Sequence, residues 1–185
     1  AAGSRDVPMP SWIAQFVLAA ALGSWALPGA AQLAQDDSLD RALIQAAPSA
    51  DPQVIRLALA ALSCATDHDE SAARHLTVID YSLPSTQPRL WVFDLVERRA
   101  LYSELVAHGR NSGENHARSF SNIEGSFETS LGLFRTEASY VGKNGYSMRM
   151  HGLEAGFNDR AAERAIVMHG APYVSAGFVR TQGRL

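Results

Sequence analysis

The sequence predicts a mainly β, α+β domain that follows a short helical N-terminal region. From His75 onward, runs rich in β-branched and aromatic residues alternate with turn residues, a pattern typical of antiparallel strands. Between residues 51 and 65 the apolar residues instead recur at helical spacing. Hydrophobic residues make up 46% of the 185-residue chain and charged residues 19%, which is a globular composition. A chain of this length can bury one core.

Residues 1–31 have the pattern of a secretory signal peptide. No charged residue occurs from 7 to 35, and residues 12–27 are almost entirely apolar. This apolar run is shorter and more interrupted than a typical membrane span. Small residues at 28–31 predict cleavage before Gln32. We therefore expect export to the periplasm or cell envelope, with no stable membrane span after cleavage.

The basic segment that usually precedes the apolar run of a signal peptide is weak in this chain. Arg5 is the only upstream cation, and Asp6 offsets its charge. An uncleaved membrane anchor and a buried helix therefore remain alternative interpretations of the segment.

Two helices are predicted in the helical region 32–74. The first covers residues 38–47, because Pro48 cannot continue it. The second begins at Asp51, since Asp is a favoured N-cap and Pro52 suits the first helical position. Its apolar residues predict a buried stripe made of Val54, Leu57, Ala61 and Cys64.

Cys64 is the only cysteine, so no intramolecular disulfide can form, even in an oxidising compartment. Its neighbours are Ser63 and Ala65, and no charge follows before Asp67. Because a reactive cysteine needs a stabilised thiolate, we interpret Cys64 as a buried packing residue and not as a nucleophile.

Strands are predicted at residues 76–82, 90–95 and 101–107, where β-branched and aromatic residues predominate. Polar residues 97–99 separate the last two strands, which should form a hairpin. The stretch 109–130 is rich in Ser, Asn and Gly, and it predicts a long surface loop.

A second hairpin is predicted around the turn 142–145, because its Asn-Gly pair suits positive φ. The segment that follows alternates in polarity, so successive side chains would point to opposite faces. One face would carry Tyr146, Met148 and Met150, and the other Ser147, Arg149 and His151.

Another helix and another strand are predicted near the end of the chain. Asn158 is suited to cap a short helix that runs to Arg164. The apolar run 166–168 then predicts a strand buried on both faces, which ends at His169. Four later apolar residues are expected to be poorly covered, namely Tyr173, Val174, Phe178 and Val179.

His169 lies where this last strand becomes a loop. A sheet holds such a side chain rigidly and the loop gives a substrate access, so the position suits a general base. A core histidine that hydrogen-bonds to backbone is the alternative interpretation.

A series of sequence words in the second part of the chain supports a family assignment. They are 90–94 (LWVFD), 104–114 (ELVAHGRNSGE), 119–122 (SFSN), 130–136 (SLGLFRT), 142–147 (GKNGYS), 156–159 (GFND) and 165–170 (AIVMHG). In these words and in their order, the chain resembles the murein L,D-transpeptidase catalytic domain family of bacteria, over roughly residues 40 to 185.

The resemblance implies a β-sandwich-like catalytic fold at residues 75–185 and a cysteine mechanism. In that family a thiolate attacks the carbonyl of a tetrapeptide stem of peptidoglycan, and a histidine takes the thiol proton. An amine of another stem then resolves the acyl-enzyme. His169 matches the position of the family's histidine. The reaction needs no metal and no organic cofactor.

The family's nucleophile lies in a Ser-x-Gly-Cys word a short way beyond the His-Gly word. The printed sequence reaches Leu185 without this word. We therefore expect a catalytic domain that is incomplete at its C-terminus and inactive as it stands. The alternative function is that of a non-catalytic envelope protein, which keeps the fold and binds peptidoglycan.

Three further residues are candidates for binding the stem peptide. Gly170 follows the histidine, Arg149 could meet a substrate carboxylate, and His151 could line the site or orient His169. An exposed strand arginine and a packed histidine are the alternatives for the last two. A zinc site is not predicted, because no His-x-x-x-His spacing occurs among His108, His116, His151 and His169.

The net charge of −3 is unevenly distributed. Residues 36–80 carry eight acidic and three basic residues, whereas residues 81–185 carry ten acidic and twelve basic ones. Neither part is basic enough to indicate nucleic-acid binding. The mildly positive second part would favour an anionic polymer such as peptidoglycan, although an ordinary mixed surface also explains it.

Overall fold

The computed structural model describes residues 29–66 and 73–185. The predicted signal segment lies outside the described residues up to position 28, and the predicted cleavage point falls in the first turn of the first helix. Within the described ranges there are three helices, α1 (Gly29–Ala46), α2 (Pro52–Thr66) and α3 (Ala176–Gln182). The six strands there are β1 (His75–Ile79), β2 (Leu90–Asp94), β3 (Arg99–Glu104), β4 (Phe134–Gly142), β5 (Gly145–Gly152) and β6 (Val167–His169).

The strands form two antiparallel sheets, with the orders β1-β2-β3 and β4-β5-β6. The mainly β, α+β class is therefore confirmed, and so are the two predicted hairpins. Among the described residues, no helix is both long enough and apolar enough to cross a membrane.

Turn chemistry ends the strands of the first sheet slightly earlier than predicted. β1 stops at Ile79 because Asp80 accepts hydrogen bonds from the backbone N–H and the hydroxyl of Ser82, at 2.9 and 2.6 Å. The β2–β3 turn is fixed in the same way, since one oxygen of Asp94 accepts from the N–H groups of Val96 and Glu97, both at 2.9 Å.

The main hydrophobic core lies between the helices and the first sheet. Leu43 of α1 and Ile55 of α2 are completely buried against it, together with Trp91 and Phe93 of β2. α2 begins at Pro52 as predicted, and Asp51 accepts a 2.8 Å hydrogen bond from the N–H of Gln53 as its N-cap. α1 begins earlier than the predicted residue 38, because no helix breaker separates that position from Gly29.

The predicted buried stripe of α2 is wrong at Leu57 and Cys64, whereas Val54 does pack against the core. Ile55 is fully buried, whereas Leu57 is 70% exposed and Cys64 is also exposed. α2 is apolar almost all the way round, so two different sets of its residues satisfy helical spacing. The set that packs against the core contains Val54, Ala58, Leu59 and Leu62 beside Ile55.

One expectation for the second sheet also needs correction. β6 is paired on one side only, to β5, and its three residues are half-buried, so it is not a strand covered on both faces. In β5 the alternation of faces holds, but the polar Ser147 is the buried residue, at 2% exposure, and Tyr146 is 72% exposed.

The segment 158–164 forms successive turns and not the predicted helix. Asn158 does not cap the following turn, because its side chain bonds to Glu154, Leu131 and Leu133 instead. α3, which was not predicted, starts where Ser175 accepts from the N–H of Phe178. The long loop 109–130 is confirmed, with isolated bridges as its only strand-like pairing.

Candidate active site

The end of β6 places His169 at the edge of the second sheet, where its side chain is half-buried. Its Nδ1 lies 2.8 Å from the carbonyl oxygen of Gly170. Because a carbonyl oxygen only accepts hydrogen bonds, this contact assigns the proton of the neutral ring to Nδ1. The other ring nitrogen, Nε2, is then left with its lone pair, which is the state that a general base requires.

His169 opens into a cleft of about 510 Å³. One wall is the segment after the strand, and the other is the turn of the β4–β5 hairpin. That turn is closed by Gly145 at a φ of 78°, a conformation suited to glycine. The residues that line the cleft are Lys143, Asn144, His169, Gly170, Ala171, Pro172 and Tyr173.

The floor beside His169 is one face of the second sheet. In the register of the three strands, Ser147 lies opposite Tyr140 on one side and opposite His169 on the other. Directly opposed side chains in antiparallel strands point to the same face. The buried Ser147 thus separates Tyr140 from His169 on a common face of the sheet.

Arg149 belongs to this same face, two residues along β5 from Ser147. Its guanidinium carbon lies 4.4 Å from the centroid of the Tyr140 ring, in cation–π contact. A Cβ at position 142 would approach the same ring to 2.8 Å, so Gly142 leaves room for it. The stack therefore holds the guanidinium of Arg149 beside Tyr140, on the other side of Ser147 from His169.

Comparison with protein families decides the assignment. A family model of the L,D-transpeptidase catalytic domain matches residues 46–185, which is more than half of the chain. The chain belongs to the L,D-transpeptidase catalytic domain family. The resemblance read from the sequence words is thereby confirmed. No curated protein and no solved structure matches the chain.

The L,D-transpeptidase family acts on peptidoglycan. Of the residues predicted to form a site in this domain, the structure brings His169 and Gly170 together in the cleft and places Arg149 on the adjoining face. His151 lies on that face too, but four residues along β5 from Ser147, about 13 Å away. Its Nδ1 is 3.9 Å from an oxygen of Glu137, so it is not positioned to orient His169 directly.

The other histidines considered from the sequence belong to different surroundings. His108 contacts Arg89, and His116 lines a second cleft formed by residues of the long loop. Within the described ranges, no group of three or more His, Cys, Asp or Glu side chains is arranged to hold a metal ion.

Cys64 does not belong to the cleft around His169. It is exposed on α2, a helix that packs against α1 and β1, whereas His169 ends the last strand of the second sheet. The prediction that Cys64 is buried is wrong, because the opposite face of α2 supplies the core contacts.

Arg164, which the sequence did not single out, joins the turns before β6 to the long loop. Its Nη1 donates to the carbonyl of Ser121 and the hydroxyl of Ser130, and its Nη2 donates to the hydroxyl of Ser126 at 3.0 Å and the carbonyl of Glu128 at 2.7 Å. Desolvation, and then the charge of Arg160, lower the pKa of Arg164. Ser121 and Ser130, from the family words 119–122 and 130–136, thus accept hydrogen bonds from one guanidinium.

Asn158, in the family word 156–159, is a second framework residue, which the sequence predicted only as a helix cap. It is completely buried. Its amide nitrogen donates to the carbonyls of Leu131 and Leu133 at 3.1 and 3.0 Å, and its oxygen accepts from the N–H of Glu154 at 2.9 Å. The residue therefore ties the entry of β4 to the turns that lead to β6.

Proposed function

We propose that this chain carries the histidine part of the acyl-transfer site of a peptidoglycan L,D-transpeptidase. The observation that carries the proposal is the contact between His169 and the carbonyl of Gly170, which leaves Nε2 free at an open cleft. Family membership supplies the substrate class, because the family acts on peptidoglycan.

The proposed reaction begins with a cysteine thiol beside His169. By resemblance, that cysteine belongs to a Ser-x-Gly-Cys word, which does not occur in these 185 residues. An ordinary thiol, with a pKa of about 8.5, is only slightly ionised at neutral pH. His169 would take its proton through Nε2, and the thiolate would attack a stem carbonyl. The thioester of the acyl-enzyme would form as the peptide bond to the last residue of the stem breaks, and His169 would return the proton to the departing amine. An amine of a second stem would then release the cross-linked product.

The same proposal assigns substrate contacts to the sheet face beside the cleft. Arg149, held by Tyr140, offers a guanidinium to a carboxylate of the stem. A Cβ at Gly170 would meet no atom within 4 Å, so the stem can approach this side of His169 closely. An extended tetrapeptide spans about 13 Å, which is the distance along β5 from the level of His169 to His151. His151 would thus contact the far end of the stem.

We further propose that the protein acts in the cell envelope. The charge-free segment 7–35 followed by small residues supports export, and the substrate of the family lies outside the cytoplasm. N-terminal sequencing of protein from the envelope fraction should identify Gln32 as the first residue. An intact apolar segment on soluble cytoplasmic protein would contradict export.

Cross-linking of purified muropeptides tests the enzymatic proposal. The 185-residue chain should form no dimers, whereas a version extended by a segment with a Ser-x-Gly-Cys word should form them. His169→Ala in the extended version should lower turnover by about 10² to 10⁴, the usual contribution of a general base. His116→Ala is the matched control, because His116 is exposed in another cleft, and it should retain turnover.

Two outcomes would contradict the proposal. An extended chain that binds isolated peptidoglycan without ever cross-linking it would favour the non-catalytic envelope protein. Cross-linking by the 185-residue chain itself would return attention to Cys64, and Cys64→Ala would then have to abolish it.

A further inference from the structure

We infer that Lys143 recognises a carboxylate of the stem peptide and makes the cleft selective for stems with a free carboxylate near the acyl site. This inference rests on the proposed function, and it adds a specificity-determining residue to it. The occupant of the cleft would be the carboxylate end of a stem peptide.

The position of Lys143 follows from the hairpin. Gly142 and Gly145 face each other at its end, so Lys143 and Asn144 form a two-residue turn directly above the cleft. β4 and β5 pair along most of their length, which holds the turn on a rigid support. The residue at position 143 thus lies at the rim that faces the segment 169–173.

The charge of the lining selects the ligand. Lys143 is the only lining residue with a permanent charge, and none of the seven lining residues is acidic. Asn144 and Tyr173 add neutral hydrogen-bond donors. A cation with neutral donors and no neighbouring carboxylate is an arrangement that attracts an anion, and the anionic groups of a peptide stem are carboxylates.

Arg149 cannot take over this role, because it is placed elsewhere. Its guanidinium is stacked on Tyr140, which lies on the other side of Ser147 from His169, and it does not line the cleft. Lys143 and Arg149 would therefore contact different carboxylates of an extended stem. The ammonium group of Lys143 would contact the one nearest to His169.

Binding to the 185-residue chain tests this inference without any need for turnover. Two synthetic tetrapeptide stems are titrated by calorimetry at low ionic strength, one with a free C-terminal carboxylate and one with a C-terminal amide. The unmodified chain should bind the free acid about two- to fivefold more tightly, the size expected for an exposed ion pair. Lys143→Gln should remove this preference, and Lys143→Arg should keep most of it.

Arg180→Gln is the matched control, since Arg180 is an exposed cation on α3 outside the cleft lining, and it should leave the preference unchanged. Added salt should reduce the preference of the unmodified chain. If Lys143→Gln still binds the free acid more tightly than the amide, the inference about Lys143 is wrong but the proposed function stands. If the unmodified chain binds neither peptide, the proposed function fails together with the inference.

Discussion

Arg89 donates a hydrogen bond from Nη2 to Nδ1 of His108, over 2.8 Å. Arg89 is completely buried, and its other donors bind the carbonyls of Leu83 and Val106. Because Nδ1 accepts from a guanidinium, the imidazole must be neutral, and its Nε2 then donates to the carbonyl of Gly113 at 3.2 Å. The pair links the first sheet to the long loop.

The contact between Arg89 and His108 predicts that the free energy of unfolding falls under mildly acidic conditions. Burial, followed by the positive charge of Arg89, lowers the pKa of His108 below its ordinary value. Below about pH 6.5 the unfolded chain takes up a proton at this histidine that the folded chain resists. The stabilisation is therefore complete above that pH and is lost as the pH falls towards the folded pKa. Urea denaturation across pH 5 to 8 measures the effect.

A non-titrating variant isolates His108 from the other histidines. His108→Gln should flatten the pH dependence between pH 5 and 7, whereas His116→Gln, which changes an exposed residue of the same loop, should leave it unchanged. An unaltered pH profile in His108→Gln would show that Arg89 and His108 do not set it.

Arg164→Met should destabilise the protein by about 2 to 4 kcal/mol, because it removes several charged hydrogen bonds to the loop 121–130. The loop should also become sensitive to limited proteolysis. Arg160→Met is the control, since Arg160 makes ion pairs with exposed acidic residues, and it should cost less than about 1 kcal/mol. Equal losses of stability in the two variants would show that Arg164 does not hold the loop 121–130 in place.

Asn158→Asp should destabilise the fold by more than about 3 kcal/mol, although it changes only one atom. A carboxylate oxygen would replace the amide nitrogen and would face the carbonyls of Leu131 and Leu133. Asn144→Asp, at an exposed turn, should change stability by less than about 0.5 kcal/mol. Thermal unfolding of both variants makes the comparison, and a tolerated Asn158→Asp would refute the role of this network.

Cys64 should react with a thiol reagent in the native protein nearly as fast as in urea, because it is exposed. Cys64→Ser should change stability by less than about 0.5 kcal/mol. Slow labelling of the native state, with fast labelling in urea, would instead support the burial that helical spacing suggested.

The sequence predicted those parts of the fold in which local chemistry leaves few alternatives. Asp51 before Pro52 located the start of α2, and the polar and glycine turns located both hairpins. The face of α2 was not predictable in this way. Its residues are apolar on nearly every side, and only contact with β1 and α1 determines that Ile55 is buried and Leu57 is not.

The residues of the candidate site also differ in whether local sequence signals reveal them. His169 could be found because an apolar strand followed by glycine is a local signal, and the family words place it. Arg164 and Arg89 could not be found, and Asn158 was predicted only as a helix cap, because most of their partners lie between 17 and 43 positions away along the chain. Long-range hydrogen bonds of buried polar groups leave no periodic trace in a sequence.

Intact mass spectrometry of the extended protein shows whether His169 activates a cysteine of a Ser-x-Gly-Cys word. After incubation with a tetrapeptide stem, the mass should increase by that of the stem without its last residue, and peptide mapping should place the adduct on the cysteine of the Ser-x-Gly-Cys word. His169→Ala should slow formation of this adduct by about 10² or more. An adduct on Cys64, or an undiminished rate in His169→Ala, would contradict the account.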